Sequence, residues 1–233
     1  MQKVKLFCIP YSGASSMIYN KWKESLNDKI VVVPVEFPGR GQNFGDPLCT
    51  TADELIEYLY EQIEPQLDEN AFAFYGHCIG GALAYDLAMK IEYEKNRIPV
   101  HMFFSGRQVP HLQYRKKVSK MSEKEFLDEL FSMEEPIKCI MENNDLREIY
   151  LPIFKADLLM SETYIHEYNP DTSRMQCDIT ILSGMEDRIV YEEDLQHWTE
   201  YTKSKCTYHM LKGGHFFIHD NQLEIANIIN HSL

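Results

Sequence analysis

Between Phe72 and Ala88 the chain reads FAFYGHCIGGALAYDLA: strand-like residues run into Gly-His-Cys-Ile-Gly-Gly, and a helical pattern follows at once. No other stretch constrains the fold so strongly. A strand that passes directly into a helix must remove side chains where the two backbones meet, which is the task of glycine at 76 and 80. Cys78, at the tip of that turn, is forced into a strained backbone conformation with its side chain pushed outward. The helix behind it offers open N–H groups and the positive end of its dipole. Both favour a thiolate at Cys78, and the Ile79 N–H can donate to an oxyanion. The plain structural alternative is a cysteine buried at an apolar strand–helix junction.

Such an elbow belongs in an α/β fold, a mostly parallel central sheet flanked by helices, and the rest of the chain has that rhythm. Apolar runs at Val4–Ile9, Ile30–Phe37, Ala71–Tyr75, Val100–Ser105, Ile179–Ser183 and Thr207–Leu211 read as strands. Helical spacing marks Ala52–Ile63, Gly81–Tyr93, Leu195–Tyr201 and Leu223–Ile229. The alternation breaks once, over residues 109–171, where helix signals dominate. There Ser122 and Glu125 of SEKE form a capping box, and Asn144–Tyr164 reads as a helix that Pro152 should break or kink. The expectation is one domain over residues 1–233 with residues 109–171 as an inserted helical lid; an excursion with no gating role is the alternative.

Composition narrows the partners. A net charge of −13 argues against nucleic acid or an anionic membrane surface. No apolar run approaches the roughly 18 residues of a membrane span, and the N-terminal MQKVKLFCIP is too short in its apolar part for a signal peptide, so a cytoplasmic protein is expected. The six cysteines are scattered without C-x-x-C pairs, which reads as reduced thiols and not as a zinc site or a disulfide framework. No metal or cofactor is expected. One stretch departs from the acidic average: GRQVPHLQYRKK carries Arg107, Arg115, Lys116 and Lys117 with no acid among them, either a solvated loop or a docking patch for an acidic partner.

A nucleophile needs a base, and the base an orienting group. ITILSGMEDRIV ends a strand at Ser183 and drops into a loop carrying Glu186 and Asp187, of which Asp187 is better spaced from the strand end. YHMLKGGHFFIH ends a strand at Leu211, turns through Gly213–Gly214 and presents His215, with His219 as the runner-up base. His77 should point away from the elbow and hydrogen-bond locally. A second oxyanion donor is expected from the loop after the first strand, CIPYSGASS, with the Tyr11 amide first and Ser12 second. That loop lacks the glycine patterns of phosphate-binding turns, and the glycine-rich PGRGQNFG at 38–45 reads as a loop near the site.

Taken together, LFCIPYSGAS, VEFPGRGQ, YGHCIGGALAYDLA, FFSGRQVP, LPIFKADLLMSETY, ILSGMEDRIV and GGHFFI resemble, in order and spacing, the type II thioesterases that accompany nonribosomal peptide and polyketide synthases. The resemblance covers about Leu6 to Ile218. It implies an α/β-hydrolase fold with a helical lid, and substrates held as thioesters on the phosphopantetheine arm of acyl or peptidyl carrier proteins. Its catalytic residues fall on Cys78, Asp187 and His215, and its oxyanion amides on Ile79 and the Tyr11 turn. Stalled or misprimed acyl units would be cleared by hydrolysis, with no cofactor of the enzyme's own; a monomer suffices for this architecture.

The departure from the family pattern is Cys78, where serine is usual. A natural cysteine variant is the reading adopted; a substitution that traps an acyl-enzyme and a loss of hydrolysis are the alternatives. A thiolate paired with His215 is nucleophilic at neutral pH, and its acyl-cysteine is more reactive than an acyl-serine ester. Transfer to an amine or thiol therefore stands beside hydrolysis, and a non-catalytic carrier-binding scaffold is the reading from another class. Carrier proteins are acidic, as is this chain, so Arg107, Arg115, Lys116 and Lys117 are the candidate carrier-protein patch. Phe126, Phe131, Met133, Phe154 and Met160 are candidates to line an acyl channel, or are simply core.

Overall fold

A computed structural model describes residues 3–112, 117, 120–132, 137–164 and 166–233. Among these residues six strands make one sheet: β1 (Val4–Ile9), β2 (Ile30–Pro34), β3 (Ala71–His77), β4 (His101–Ser105), β5 (Asp178–Gly184) and β6 (Cys206–Leu211), in the order β2-β1-β3-β4-β5-β6. Every pairing is parallel, so all strands end at the same edge. The chain steps from β1 outward to β2, then returns across β1 to β3. That reversal opens a crevice between the C-terminal ends of β1 and β3, where open α/β sheets bind their ligands.

Strand sequence explains why both faces are covered. Phe7, Ile9, Phe72, Phe74, Met102, Phe104, Ile179 and Ile181 join one buried cluster. Their alternating neighbours Leu6, Cys8, Ala73, Tyr75, Phe103 and Leu182 join the other. A period of two with both sets apolar is the pattern of a sheet buried on both sides. Helices α1 (Ala52–Ile63) and α2 (Ile79–Lys95) cover the first face, α1 through Leu55, Leu59 and Ile63 behind a Thr51–Glu54 capping box.

Between β4 and β5 lie α3 (Glu123–Ser132), α4 (Ile137–Glu142) and α5 (Asn144–Thr163). The capping box at the start of α3 is formed: the Glu125 N–H reaches Ser122 Oγ at 3.3 Å, and Glu125 Oε2 accepts the Ser122 N–H at 2.8 Å. Of the break or kink expected at Pro152, the break does not occur: α5 runs through it. Proline removes one backbone donor, while the Asn143 cap and the buried Ile153, Phe154 and Asp157 hold the two halves in one helix. Phe154 packs in the second core and Met160 in the first, so α5 bridges the two across the strand ends.

The expected helix at Leu195–Tyr201 is instead a short α6 (Glu192–Leu195) followed by a 3₁₀ turn, Gln196–Tyr201. Trp198 and Tyr201 are both buried, and residues three apart eclipse in a 3₁₀ turn, so both face the core. Helix α7 (Gln222–Ser232) closes the second face with Ile225, Ala226 and Ile229. Among the described residues, no helix is long and apolar enough to cross a membrane.

Candidate active site

β3 passes into α2 with only Cys78 between them, and Cys78 adopts φ 55°, ψ −122°. A side chain bearing a Cβ pays a steric penalty there, of about 1–3 kcal/mol. The surroundings enforce it. A Cβ on Gly76 would overlap the Gly80 carbonyl, and one on Gly80 would overlap the carbonyls of Ile9 and Pro10. The Cys78 N–H donates to the Ser105 carbonyl at 2.8 Å, and its own carbonyl accepts the Gly81 N–H at 3.0 Å. Helix α2 thus begins directly behind the thiol, against the end of β1.

The second half of the site comes from the loops after β5 and β6, which are tied to each other. The Met185 N–H donates to the Leu211 carbonyl at 2.8 Å and the Glu186 N–H to the Gly213 carbonyl at 3.0 Å. A Cβ on Gly184 would overlap the Gly214 carbonyl, so three glycines, one on β5 and two after β6, permit the approach. Glu186 faces solvent. Asp187 turns inward, its side chain fully buried, and Oδ2 accepts from His215 Nδ1 at 2.8 Å. Its other oxygen accepts the N–H groups of Ile189 at 2.8 Å and Val190 at 3.0 Å. Burial works to raise the Asp187 pKa, but the bond and charge of His215 and the two amides hold it below the usual carboxylate value.

His215 also meets Cys78. Burial opposes a charge on the imidazole; the thiolate charge of Cys78 and hydrogen bonds to Asp187 and Cys78 outweigh it and push the pKa up to about 10. His77, whose ring centroid lies 5.3 Å from that of His215, behaves in the opposite way. Burial first, then the charges of His215 and His219, hold His77 well below the usual histidine value. It is neutral, with Nδ1 2.9 Å from Ser105 Oγ, which also accepts from the Tyr75 hydroxyl at 2.8 Å. His219 is turned to Tyr11, its Nε2 2.9 Å from the phenol oxygen. Tyr11 packs edge-on to His77, and burial together with the charge of Cys78 raises its phenol pKa.

Several groups that shape the site carry no local signal in the sequence. Arg40 of the PGRG loop and Asp157 of α5 form a buried two-pronged ion pair, and Asp157 also accepts the Gly13 N–H. Buried Glu36 accepts from the Ser15 hydroxyl at 2.5 Å and from the Ser16 N–H at 3.0 Å, holding the far end of the same post-β1 loop.

One expectation is corrected. Arg107 is not part of a surface patch: it is 2% exposed, its guanidinium lies over the Tyr164 ring at 5.6 Å and its carbonyl accepts from Trp198 Nε1 at 3.0 Å. Gly106, at φ 57°, turns the chain so that Arg107 enters the interior. Lys117 is exposed, and Arg115 and Lys116 lie outside the described residues. Of the acyl-channel candidates, Phe126 and Phe154 share an apolar cluster with Tyr11 and Cys78. Met160 belongs to the opposite core, Phe131 faces solvent, and Met133 lies outside the described residues.

A thiol at a strand–helix elbow, facing a histidine oriented by a buried aspartate at the strand ends of a parallel sheet, defines an α/β-hydrolase. Within that class the chain belongs to the thioesterase family, whose domain model it matches over residues 4–233, and its activity is hydrolysis of thioesters. It is 32% identical to the linear gramicidin dehydrogenase LgrE of Brevibacillus parabrevis, over 99% of this chain and 88% of that one. ClbQ, from the colibactin NRPS/PKS pathway, superposes with a TM-score of 0.93 at 27% identity, covering 99% and 96% of the two chains. The type II thioesterase BorB of the borrelidin cluster superposes at 0.86 with 25% identity, covering 99% and 92%.

Proposed function

We propose that this thioesterase releases acyl groups from the phosphopantetheine arm of carrier proteins through an acyl-Cys78 intermediate. The observation that carries the reading is His215, which links Asp187 to Cys78 at the tip of a strained turn. Relatives from peptide and polyketide synthase pathways support the substrate class.

The charge of Cys78 and the bond to Asp187 raise the His215 pKa, and the starting state of this mechanism is a thiolate–imidazolium pair. The thiolate adds to the thioester carbonyl, and the N–H groups of Ile79 and Tyr11 receive the oxyanion. As the tetrahedral intermediate collapses, the imidazolium gives its proton to the departing phosphopantetheine sulfur, leaving a free thiol and acyl-Cys78. Acylation also removes the Cys78 charge that held the His215 proton. His215, left neutral by that transfer, accepts a proton from the water that attacks acyl-Cys78. Carboxylic acid departs and the ion pair is restored, with Asp187 stabilising the imidazolium each time it forms. Phe126 and Phe154 of the inserted helices supply an apolar wall for the acyl chain, and these helices act as a lid.

Intact-protein mass spectrometry of the enzyme mixed with an acetyl-loaded holo carrier protein tests this beside Cys78→Ala. The acetyl group should leave the carrier as free acid, with any transient adduct confined to Cys78 and no turnover by Cys78→Ala. Undiminished hydrolysis by that variant would sink the covalent mechanism, and an acyl-Cys78 that clears only on adding an amine or thiol would replace hydrolysis by transfer.

A further inference from the structure

The turn after β1 is gripped by a helix far away in sequence. Asp157 Oδ2 accepts the Gly13 N–H at 2.7 Å. The same carboxylate binds Arg40, with Nη1 on Oδ2 at 2.5 Å and Nη2 on Oδ1 at 2.8 Å. Arg40 Nε reaches back to the Pro38 carbonyl at 3.3 Å, which fixes the fork. One turn earlier on α5, Phe154 fills the space beside Gly13; a Cβ there would overlap its ring, and Gly13 has φ 80°. Asp157 and Phe154 therefore seize one peptide between them.

Both charged partners are nearly fully buried, at 2% and 3% exposure. A buried ion pair by itself is weak evidence of stabilisation, since apolar residues of similar volume often serve as well. The bond to Gly13 gives this pair a further task. Gly13 lies inside the turn closed by the Ala14 N–H on the Tyr11 carbonyl at 3.0 Å, so the orientation of its peptide sets the tilt of the whole turn. Arginine does not lose its proton in proteins, so the cationic side of the grip is permanent.

We propose that Asp157, held by Arg40, is a positioning residue for the oxyanion-binding turn, so that α5 must be docked for the site to stabilise a tetrahedral intermediate. This rests on the reading above, in which the Tyr11 N–H receives the oxyanion. Displacement of such a donor by about 1 Å costs on the order of 10²-fold in rate.

The test compares thioester turnover with alkylation of Cys78 by iodoacetamide, a displacement at saturated carbon that forms no oxyanion. Asp157→Leu with Arg40→Met removes the Gly13 acceptor and both charges together while keeping volume. Its kcat should fall roughly 30- to 100-fold, with KM and the alkylation rate unchanged. Asp157→Asn with Arg40→Met keeps an acceptor for Gly13 and should recover most of kcat. Asp157→Glu, which keeps the pair but shifts the carboxylate by one methylene, guards against a double variant that does not fold: kcat should drop while alkylation holds. Parallel loss of turnover and alkylation, equal kcat in the two double variants, or undiminished kcat in Asp157→Glu overturns the proposal. Failure of the covalent reading appears separately, as thioester turnover by Cys78→Ala.

Discussion

Two buried carboxylates stand on opposite sides of the crevice, and their likeness makes the difference between them useful. Asp187 and Asp157 each accept backbone N–H groups and each face one cationic side chain. Asp187 faces histidine, whose proton can leave; Asp157 faces arginine, whose proton cannot. The first arrangement is built to change its charge during a cycle and the second to stay as it is. Burial raises the stakes for both, because an unpaired charge away from water is costly. What separates a group suited to proton transfer from one suited to holding a turn is therefore the partner's chemistry, not the depth of the carboxylate.

Loss of the carboxylate charge should separate the two most sharply. In Asp187→Asn the amide oxygen can still accept from Ile189 and Val190, so the thermal midpoint should move little. The imidazolium loses its counter-charge, and kcat should fall on the order of 10³- to 10⁴-fold. A variant that melts far earlier with kcat intact would break the comparison. Asp157→Ala should differ by acting on stability as well as on kcat, leaving Arg40 buried without its partner at a cost of about 3–5 kcal/mol, read from denaturant or thermal unfolding. A stability within about 0.5 kcal/mol of the parent would show that Arg40 finds water instead.

The smallest effect lies in pH. Acylation uses the His215 proton, so kcat/KM should hold through the neutral range and decline as pH rises through about 10. Asp187→Asn should move that alkaline limb to lower pH, whereas Asp157→Asn should leave it in place. The sign for folding agrees: a raised folded-state pKa adds stability that is complete below about 6.5 and is lost as pH climbs through about 10. An alkaline limb that Asp187→Asn does not move would show that the proton in question belongs elsewhere.

Much of this was legible in one dimension because the cues are local. Gly76 and Gly80 sit within two residues of Cys78, and the glycines before His215 announce a close backbone approach. The partner of that approach, Gly184, becomes visible only when β5 and β6 pair. Arg107 was misread because a run of basic residues says nothing of which one the preceding turn sends inward. At Pro152 the break that local chemistry allows does not occur, because packing on both sides of it holds the helix together. Arg40 was quoted in a loop near the site, yet its partner lies 117 positions away on a helix whose apolar stripe gives no hint of a buried acid.

The sequence by itself determined the α/β alternation, the elbow and the order of Cys78, Asp187 and His215, because strand period, helix period and turn glycines act over a few residues. Tertiary structure alone decided which histidine keeps its proton and which stays neutral, and which aspartate holds a turn. Those properties depend on burial and on charges a few ångströms away, and only the parallel sheet, by bringing the ends of β1, β3, β5 and β6 to one edge, sets those distances.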